Sequence, residues 1–376
     1  MNITFFINYL NHHQLPVADE MYRLLGDRFR FVATCSRNPA ELKGGADYSS
    51  RPYCLLAAED EAAREEAIRL NRESDVCVYG AGNLAWERER ALTGKLSFEI
   101  SERWFKRGLL NLLSPRLIRW WWLYQTKLRF KPFYKLCASA FTASDCNRLL
   151  AFRGRCFKWG YFTEPAAAFH RQEQVGHTDV VRIMWCARLI PLKHPETAVE
   201  LADRLRKNGY VFKMSLYGGG PLRDKVLQMI SGKQLENLVE LKGDVSNAEV
   251  LHAMADADIF LFTSDRNEGW GAVVNEAMGC GCCVVGSNQI GSIPFLIQNE
   301  NNGLIYKGGD IDSLYRKVTF LLEHPDRCRE MGRQAAADLR EIWSPKVAAA
   351  NLLQLIGELQ SGCTTTSITC GPCSKA

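Results

Sequence analysis

Hydrophobic positions along the chain form short continuous runs that alternate with longer stretches of amphipathic character. Apolar runs occupy residues 3–9, 29–35 and 75–80, whereas residues 16–26 show the spacing of a helix with one buried face. The second half repeats this rhythm from "RIMWCARL" at residue 182 onwards. Continuous apolar strands separated by helices are typical of parallel sheets covered on both faces. The pattern therefore predicts an α/β protein with two doubly wound, Rossmann-like domains.

Polar sequence without clear periodicity separates the two halves. We expect an N-terminal domain over residues 1–165, a linker over 166–179 and a C-terminal domain over 180–345. A Ser-Pro start signal predicts a C-terminal helix over 346–362, followed by a flexible tail over 363–376. Doubly wound sheets bind ligands at the carboxyl ends of their strands, so functional side chains are expected in strand-to-helix loops facing an interdomain cleft.

Composition is that of a globular chain with a mild charge. Of the 376 residues, 47% are hydrophobic and 24% are charged, and the net charge of +5 is too small to indicate disorder. No apolar run reaches the length of a membrane-spanning helix, and the first residues lack the basic leader of a signal peptide. Most of the 14 cysteines lie inside apolar runs, which favours buried thiols in a reducing cytoplasm.

Two glutamates, Glu268 and Glu276, have seven residues between them in "EGWGAVVNE", where a predicted strand is followed by a helix. Eight helical steps span about 12 Å, too far for both carboxylates to hold one metal ion but suited to an elongated ligand. Gly269 and Gly271 allow close backbone approach, and free N–H groups at a helix start attract anions. A nucleotide sugar, with hydroxyls at both ends and a diphosphate between them, has the matching form.

This segment resembles the E-x7-E element of the retaining, two-Rossmann GT-B glycosyltransferases of family 4, a likeness that extends over residues 180–355. A second matching segment is "CARLIPLKHPE", in which that family binds the donor diphosphate through an arginine and a lysine, here Arg188 and Lys193. The resemblance implies that Glu268 lies beside the donor sugar and that Glu276 binds the ribose. It further implies transfer of a sugar to a hydroxyl of a lipid-linked oligosaccharide, because "SERWFKRG" and "KWGYF" resemble a subgroup of bacterial surface-polysaccharide enzymes.

Other loops of the C-terminal domain are expected to approach the nucleotide, mainly through backbone atoms. Besides Glu276, the expected nucleotide-binding residues are Gly269, Trp270, Gly271, Gly218, Gly219 and Val245. Neither a metal ion nor a cofactor is expected, since the nucleotide sugar is itself a substrate.

Two residues of the N-terminal half are expected to join Arg188, Lys193 and Glu268 in catalysis. His13 follows the first strand, in a loop that also suits a simple helix cap. Glu102 lies in the segment where the family often carries a histidine, so it is a candidate for an equivalent polar role.

Two other functions remain open from the sequence. Gly80, Gly82 and Ala85 fit a G-x-G-x-x-A fingerprint, with Glu99 at the interval of a ribose-binding acid, which would suit an NAD-dependent enzyme. The other alternative is a non-catalytic protein that binds sugar nucleotides on the same scaffold.

A basic aromatic segment, residues 103–136, contains arginine, lysine, tryptophan and leucine but no acidic residue. Cations and amphipathic rings suit an anionic membrane surface, so we expect a cytoplasmic protein that binds peripherally to the inner face of the plasma membrane. A nucleic-acid surface is a weaker alternative, and a partly buried helix pair is another. At the end of the chain, Cys370 and Cys373 form "CGPC", which we interpret as part of the flexible tail.

Overall fold

The computed structural model divides into two compact units, Met1–Glu164 with Ile342–Ala376, and Pro165–Glu341. The residues that it describes are 1–36, 50–80, 83–163 and 180–376. The predicted linker over 166–179 lies outside the described residues.

The first unit is built on seven parallel strands, and nearly every position of its central strands is buried. The strands are β1 (Ile3–Ile7), β2 (Phe29–Ala33), β3 (Cys54–Leu56), β4 (Val76–Gly80), β5 (Ser97–Ser101), β6 (Phe133–Cys137) and β7 (Cys156–Lys158). The helices that follow them are α1 (Leu15–Leu25), α2 (Glu61–Glu73), α3 (Leu84–Arg90), α4 (Pro115–Leu123) and α5 (Thr142–Arg148). The strand order β3-β2-β1-β4-β5-β6-β7 reverses direction between β1 and β4, as in doubly wound folds.

The second unit repeats this plan with six parallel strands. They are β8 (Val181–Cys186), β9 (Phe212–Tyr217), β10 (Val239–Gly243), β11 (Ile259–Phe262), β12 (Cys283–Ser287) and β13 (Gly303–Tyr306). Its helices are α6 (Pro195–Lys207), α7 (Arg223–Gly232), α8 (Asn247–Asp256), α9 (Val273–Gly279), α10 (Ile293–Leu296), α11 (Ile311–Glu323) and α12 (Pro325–Glu341). The order β10-β9-β8-β11-β12-β13 is that of a Rossmann sheet, so the predicted fold of two doubly wound domains is confirmed.

The C-terminal helix α13 (Pro345–Gln360) belongs to the first unit, where it packs on α1. Its N-terminus is capped by Ser344, whose side chain accepts a hydrogen bond from the N–H of Val347. The chain therefore returns to the unit in which it began.

The prediction of a flexible tail over 363–376 is wrong. Ser374 accepts a hydrogen bond from the N–H of Lys158 at 2.7 Å, and Cys373 donates one to the carbonyl of Lys158 at 2.7 Å. Lys375 forms an antiparallel bridge with Phe157, so the tail pairs with the outer edge of β7. The physical reason is that an edge strand presents unpaired backbone groups, which the tail satisfies.

Candidate functional site

In the second unit, the loop after β8 carries Arg188, whose side chain is exposed to solvent. Glycines that follow β9 pack directly beneath this loop. A Cβ atom on Gly218, where φ is +120°, would lie 2.0 Å from the carbonyl oxygen of Ala187, and one on Gly220 would lie 2.6 Å from that of Leu189. Because these glycines have no side chains, the loop that carries Arg188 packs directly against the turn after β9, and this packing determines the position of the loop.

Lys193 and Glu268, predicted from separate segments, form an ion pair in the structure. Both side chains are mostly buried, with exposed fractions of 13% and 14%. Thr263, at the end of β11, supports the lysine, because its hydroxyl donates to the carbonyl of Lys193 at 2.7 Å and accepts from the indole N–H of Trp185 at 2.8 Å. The structure therefore brings one predicted cation and one predicted carboxylate to the carboxyl ends of adjacent strands β8 and β11.

A second set of hydrogen bonds joins the loops that follow β8 and β11. The Asp265 N–H donates to the carbonyl of Leu192 at 3.0 Å, and an oxygen of the Asp265 carboxylate lies 3.2 Å from Nε2 of His194. His194 adopts a left-handed backbone conformation with φ of +48°, which turns the chain from Lys193 into α6. These contacts limit the positions that the Lys193 side chain can take.

Glu276 lies on α9 with its side chain partly buried, and burial raises the pKa of its carboxylate to about 7. Burial and then the charge of Glu276 raise the pKa of the Cys186 thiol, at the end of β8, to about 12. The charges of Lys193 and Asp244 also act on this thiol. Two of the predicted functional side chains, Glu276 and Lys193, are therefore close enough to the end of β8 for their charges to act on Cys186.

The glycine-rich start of α9 has a packing role. Gly271 has φ of +85°, and a Cβ atom there would lie 2.4 Å from the ring of Phe262. Trp270 is fully buried and its indole N–H donates to Asn275 at 2.9 Å. The Trp270 side chain thus packs inside the domain, so any contact of this residue with a nucleotide would use its backbone. Gly269 is also buried.

The loop after β10 contacts the glycine turn that follows β9. The Gly219 N–H donates to the Asp244 carboxylate at 2.9 Å, and the next residue, Val245, is 36% exposed. Ser246 then starts α8 with a capping box closed by Glu249. This arrangement leaves Val245 at the surface, beside the turn that holds the arginine loop.

In the first unit, His13 and Glu102 are linked through one tyrosine. Tyr161 stacks on the His13 ring with centroids 5.7 Å apart, and its hydroxyl donates to Glu102 at 2.8 Å. Glu102 also accepts a hydrogen bond from Lys106. Burial, and then the neighbouring His12, lower the pKa of His13 to about 3, so its imidazole is neutral at physiological pH. Glu102 and Tyr161 line a cavity of about 470 Å³.

The dinucleotide fingerprint does not have the surroundings that an NAD site would require. Glu99, the expected ribose-binding acid, is 2% exposed and pairs with the fully buried Lys135 at 3.0 Å. Gly82 lies outside the described residues. Since the carboxylate is already neutralised by a lysine, the structure gives no support to an NAD-dependent enzyme.

Sequence reasoning missed Thr263, Asp265 and Tyr161. Thr263 and Asp265 lie just after the apolar strand "IFLF", in a strand-to-helix loop of the kind where functional side chains are expected. Tyr161 belongs to an aromatic group whose role in packing or chemistry the sequence left open. Within the described ranges, no three histidine, cysteine or acidic side chains are grouped so that they would hold a metal ion.

Comparison with known proteins finds a similarity that lies mainly in the second unit. Residues 168–338 match the family model "Glycosyl transferases group 1". A GDP-mannose-dependent alpha-(1-6)-phosphatidylinositol monomannoside mannosyltransferase of Mycolicibacterium smegmatis is 25% identical over 199 residues, covering 51% of this chain and 52% of the relative. An N-acetyl-alpha-D-glucosaminyl L-malate synthase of Bacillus anthracis is 32% identical over 129 residues, covering 34% of this chain and 33% of the relative. The chain thus spans about half the length, or less, of these relatives.

The fold extends further than the sequence likeness. The structure of Alr3699/HepE from Anabaena in complex with UDP matches with a TM-score of 0.69 and 15% identity, covering 96% of this chain and 100% of that one. At this identity the match establishes the fold only. Together with the two Rossmann-like sheets, these likenesses show that the chain has the GT-B fold and that its residues 168–338 are similar to the glycosyl transferases group 1 family.

Proposed function

We propose that the protein is a glycosyltransferase that moves a sugar from a nucleoside-diphosphate sugar to a hydroxyl of a saccharide acceptor. The observation that carries the proposal is the ion pair of Lys193 with Glu268 at the carboxyl ends of β8 and β11, in the loops that also carry Arg188 and lead to Glu276 on α9. The relatives named above are transferases of sugars, and the Alr3699/HepE structure contains UDP.

Each of these side chains has a role suited to its chemistry. Arg188 and Lys193 would neutralise the negative charge that develops on the departing diphosphate, which lowers the barrier for leaving-group departure. Glu268 would bind sugar hydroxyls and Glu276 the ribose hydroxyls, as the E-x7-E resemblance implies. Because Glu268 now pairs with Lys193, donor binding has to exchange this ion pair for contacts to phosphate and sugar.

We propose retention of configuration at the transferred sugar. In this scheme no protein nucleophile is needed, because the leaving diphosphate takes the acceptor proton while the new bond forms on the same face. The neutral His13 and the paired Glu102 would contribute hydrogen bonds rather than charge.

We further propose a lipid-linked acceptor and a peripheral position on an anionic membrane. The support comes from the basic aromatic segment, which contains seven of the 14 large hydrophobic side chains that are exposed in the described part of the chain. They are Leu110, Leu112, Leu113, Ile118, Trp121, Trp122 and Phe130. Trp120, in contrast, is buried, so only part of the aromatic content faces outward. Among the described residues, no helix has both the length and the hydropathy needed to cross a membrane.

A thermal-shift screen of the full chain against UDP-, GDP- and ADP-sugars tests the donor. A ligand that binds only the folded state raises the melting temperature. At a ligand concentration 100-fold above Kd, the free energy of unfolding increases by about 2.7 kcal/mol. Stabilisation by a nucleoside-diphosphate sugar, followed by its consumption in the presence of an acceptor, is expected. Stabilisation by NADH alone would contradict the proposal, and tight binding without transfer or donor hydrolysis would indicate a non-catalytic binding protein.

A further inference from the structure

Three charged side chains lie inside the first unit with almost no contact with water. Glu87, on α3, and Lys135, on β6, are fully buried, and Glu99, on β5, is 2% exposed. Glu99 and Lys135 form an ion pair at 3.0 Å. Both carboxylate oxygens of Glu87 are buried without a hydrogen-bond partner among the described residues. The ammonium group of this set is therefore paired with Glu99, and the carboxyl of Glu87 has no ion pair in the part of the chain described.

Two arginines on α3 and α4 do not pair with Glu87 either. Arg90, which is also buried, directs all five of its N–H groups to neutral acceptors, namely the hydroxyl of Ser97 and four backbone carbonyls. Arg116 is exposed to solvent, where salt and water screen its charge. Ionising a carboxyl group that is buried and unpaired is strongly unfavourable, so such a group keeps its proton instead.

The other titratable groups around this set carry no positive charge. Burial raises the pKa of Cys77 and Tyr79, on β4, and of Cys146, on α5, so these groups are neutral at physiological pH. Hydrogen bonds from Cys137 and then Cys146 lower the pKa of Cys156 to about 4, which adds negative charge beside the buried lysine. Tyrosine and cysteine are either neutral or anionic, so none of these side chains can neutralise an ionised Glu87.

The protonation of Glu87 links the stability of the fold to pH. Burial and then the charge of Glu99 raise the pKa of Glu87 well above its ordinary value of 4.5, against smaller opposing effects of Lys135, Trp120 and Arg116. Because the folded state binds this proton more tightly than the unfolded state does, the proton stabilises the fold. This contribution is complete below about pH 4.5 and decreases as the pH rises towards the raised pKa.

We propose that the folded first unit holds a proton on Glu87 at physiological pH, and that this buried acid makes the unit open more readily as the pH rises. The group lies within the first unit alone, and the inference does not depend on the glycosyl transfer proposed above. Trp120, on α4, packs over the same group, with its ring centroid 5.3 Å from Nζ of Lys135. The packing of α4, whose Trp121 and Trp122 are exposed, is therefore linked to the protonation of Glu87.

Glu87→Gln tests the inference, because an amide has nearly the shape of the neutral acid but does not ionise. Amide hydrogen exchange of the full chain, measured by mass spectrometry between about pH 5.5 and about pH 7.5, reports the opening of β5 and β6 separately from that of the second unit. After correction for the chemical exchange rate, the opening constant of the wild type should rise about tenfold per pH unit relative to that of the variant, which corresponds to about 1.4 kcal/mol. Glu89→Gln, at an exposed position of α3, is the control and should follow the wild type.

Glu87→Leu, which has no polar side-chain atoms, is a second variant and should give the same ratio as Glu87→Gln. The infrared difference spectrum of wild type minus either variant at neutral pH should contain the carbonyl band of a protonated carboxyl group. The inference is overturned if the ratio of opening constants does not change with pH, if the difference spectra lack this band, or if Glu89→Gln behaves as the Glu87 variants do.

Discussion

Glu276, the residue proposed to bind the ribose, lowers the stability of the folded protein when its carboxylate is charged. Its carboxylate lies on a short helix among buried neighbours, and burial alone raises its pKa from 4.5 to about 7. A group that binds its proton more tightly in the folded state stabilises the fold at low pH. This contribution is complete below about pH 4.5 and is lost as the pH rises through 7.

Glu276→Gln should therefore stabilise the protein at alkaline pH while weakening donor binding. The pKa shift corresponds to about 3 kcal/mol at pH 8, and the advantage of the variant should shrink below about 1 kcal/mol at pH 5. Urea unfolding at both pH values measures the difference, with Glu65→Gln, on an exposed position of α2, as the control. A variant that is no more stable than wild type at pH 8 would contradict the burial of the charged carboxylate.

Arg188→Ala should reduce turnover far more than stability, because the side chain is exposed and its proposed partner is the donor diphosphate. Loss of a charge-assisted contact to the leaving group is expected to lower kcat by about 100-fold. Arg340→Ala, an exposed arginine near Glu341 on α12, should leave turnover unchanged. Normal transfer by Arg188→Ala would remove this residue from the proposed mechanism.

At the scale of elements, the glycine turn after β9 determines where the arginine loop lies. Gly218→Ala would place a methyl group against the Ala187 carbonyl in a backbone conformation that L-residues avoid, so it should shift the loop and weaken donor binding at least tenfold. Gly209→Ala also introduces a side chain at positive φ, but open space surrounds it. We expect it to cost about 1 kcal/mol of stability and to leave donor binding intact, as calorimetric titration would show. Equal affinities in the two variants would argue against a positioning role for the turn.

Because the tail pairs with β7, the two cysteines of "CGPC" differ in their exposure to solvent. Cys373 is fully buried and Cys370 is exposed. Cys373→Ser should lower the free energy of unfolding by about 1–3 kcal/mol, because a hydroxyl is buried in place of a thiol. Cys370→Ser should stay within about 0.5 kcal/mol of wild type. Indistinguishable urea midpoints would mean that the tail does not stay docked in solution.

Most strands were predictable because they contain short apolar runs bounded by polar sequence, as strands buried in a parallel sheet do. The exceptions are β3 and β7, which have three residues each and too little sequence to show a pattern. The tail was mispredicted for a related reason: its docking depends on backbone pairing with an edge strand, and backbone groups carry no sequence signal. In the site, Glu268 and Lys193 were predictable from their motifs, but Thr263, which supports Lys193 from a different strand, becomes evident only when the strands are placed side by side.

Over the whole molecule, the net charge of +5 is less informative than its concentration in the basic aromatic segment, which has no acidic residue. Because each basic residue near an anionic surface contributes about 1 kcal/mol, the double variant Arg119→Gln, Lys127→Gln should bind phosphatidylserine vesicles at least tenfold more weakly. Both side chains are exposed, as are those of the control pair Arg333→Gln, Lys346→Gln on α12 and α13. Vesicle co-sedimentation at low and physiological salt measures the effect. If the control pair loses as much affinity, the attraction is a general effect of charge rather than a property of the segment.

The return of the chain to its first unit after residue 341 makes the second unit an insertion within the first. Expressing the second unit by itself requires only two cuts in the gene, one at each end of residues 165–341. The other half has no contiguous gene fragment, because β1 to β7 and the helix and tail that cover α1 and β7 are separated by the whole inserted domain. Exchange of the second unit between relatives therefore calls for a replacement in the interior of the gene, with both flanking joins preserved.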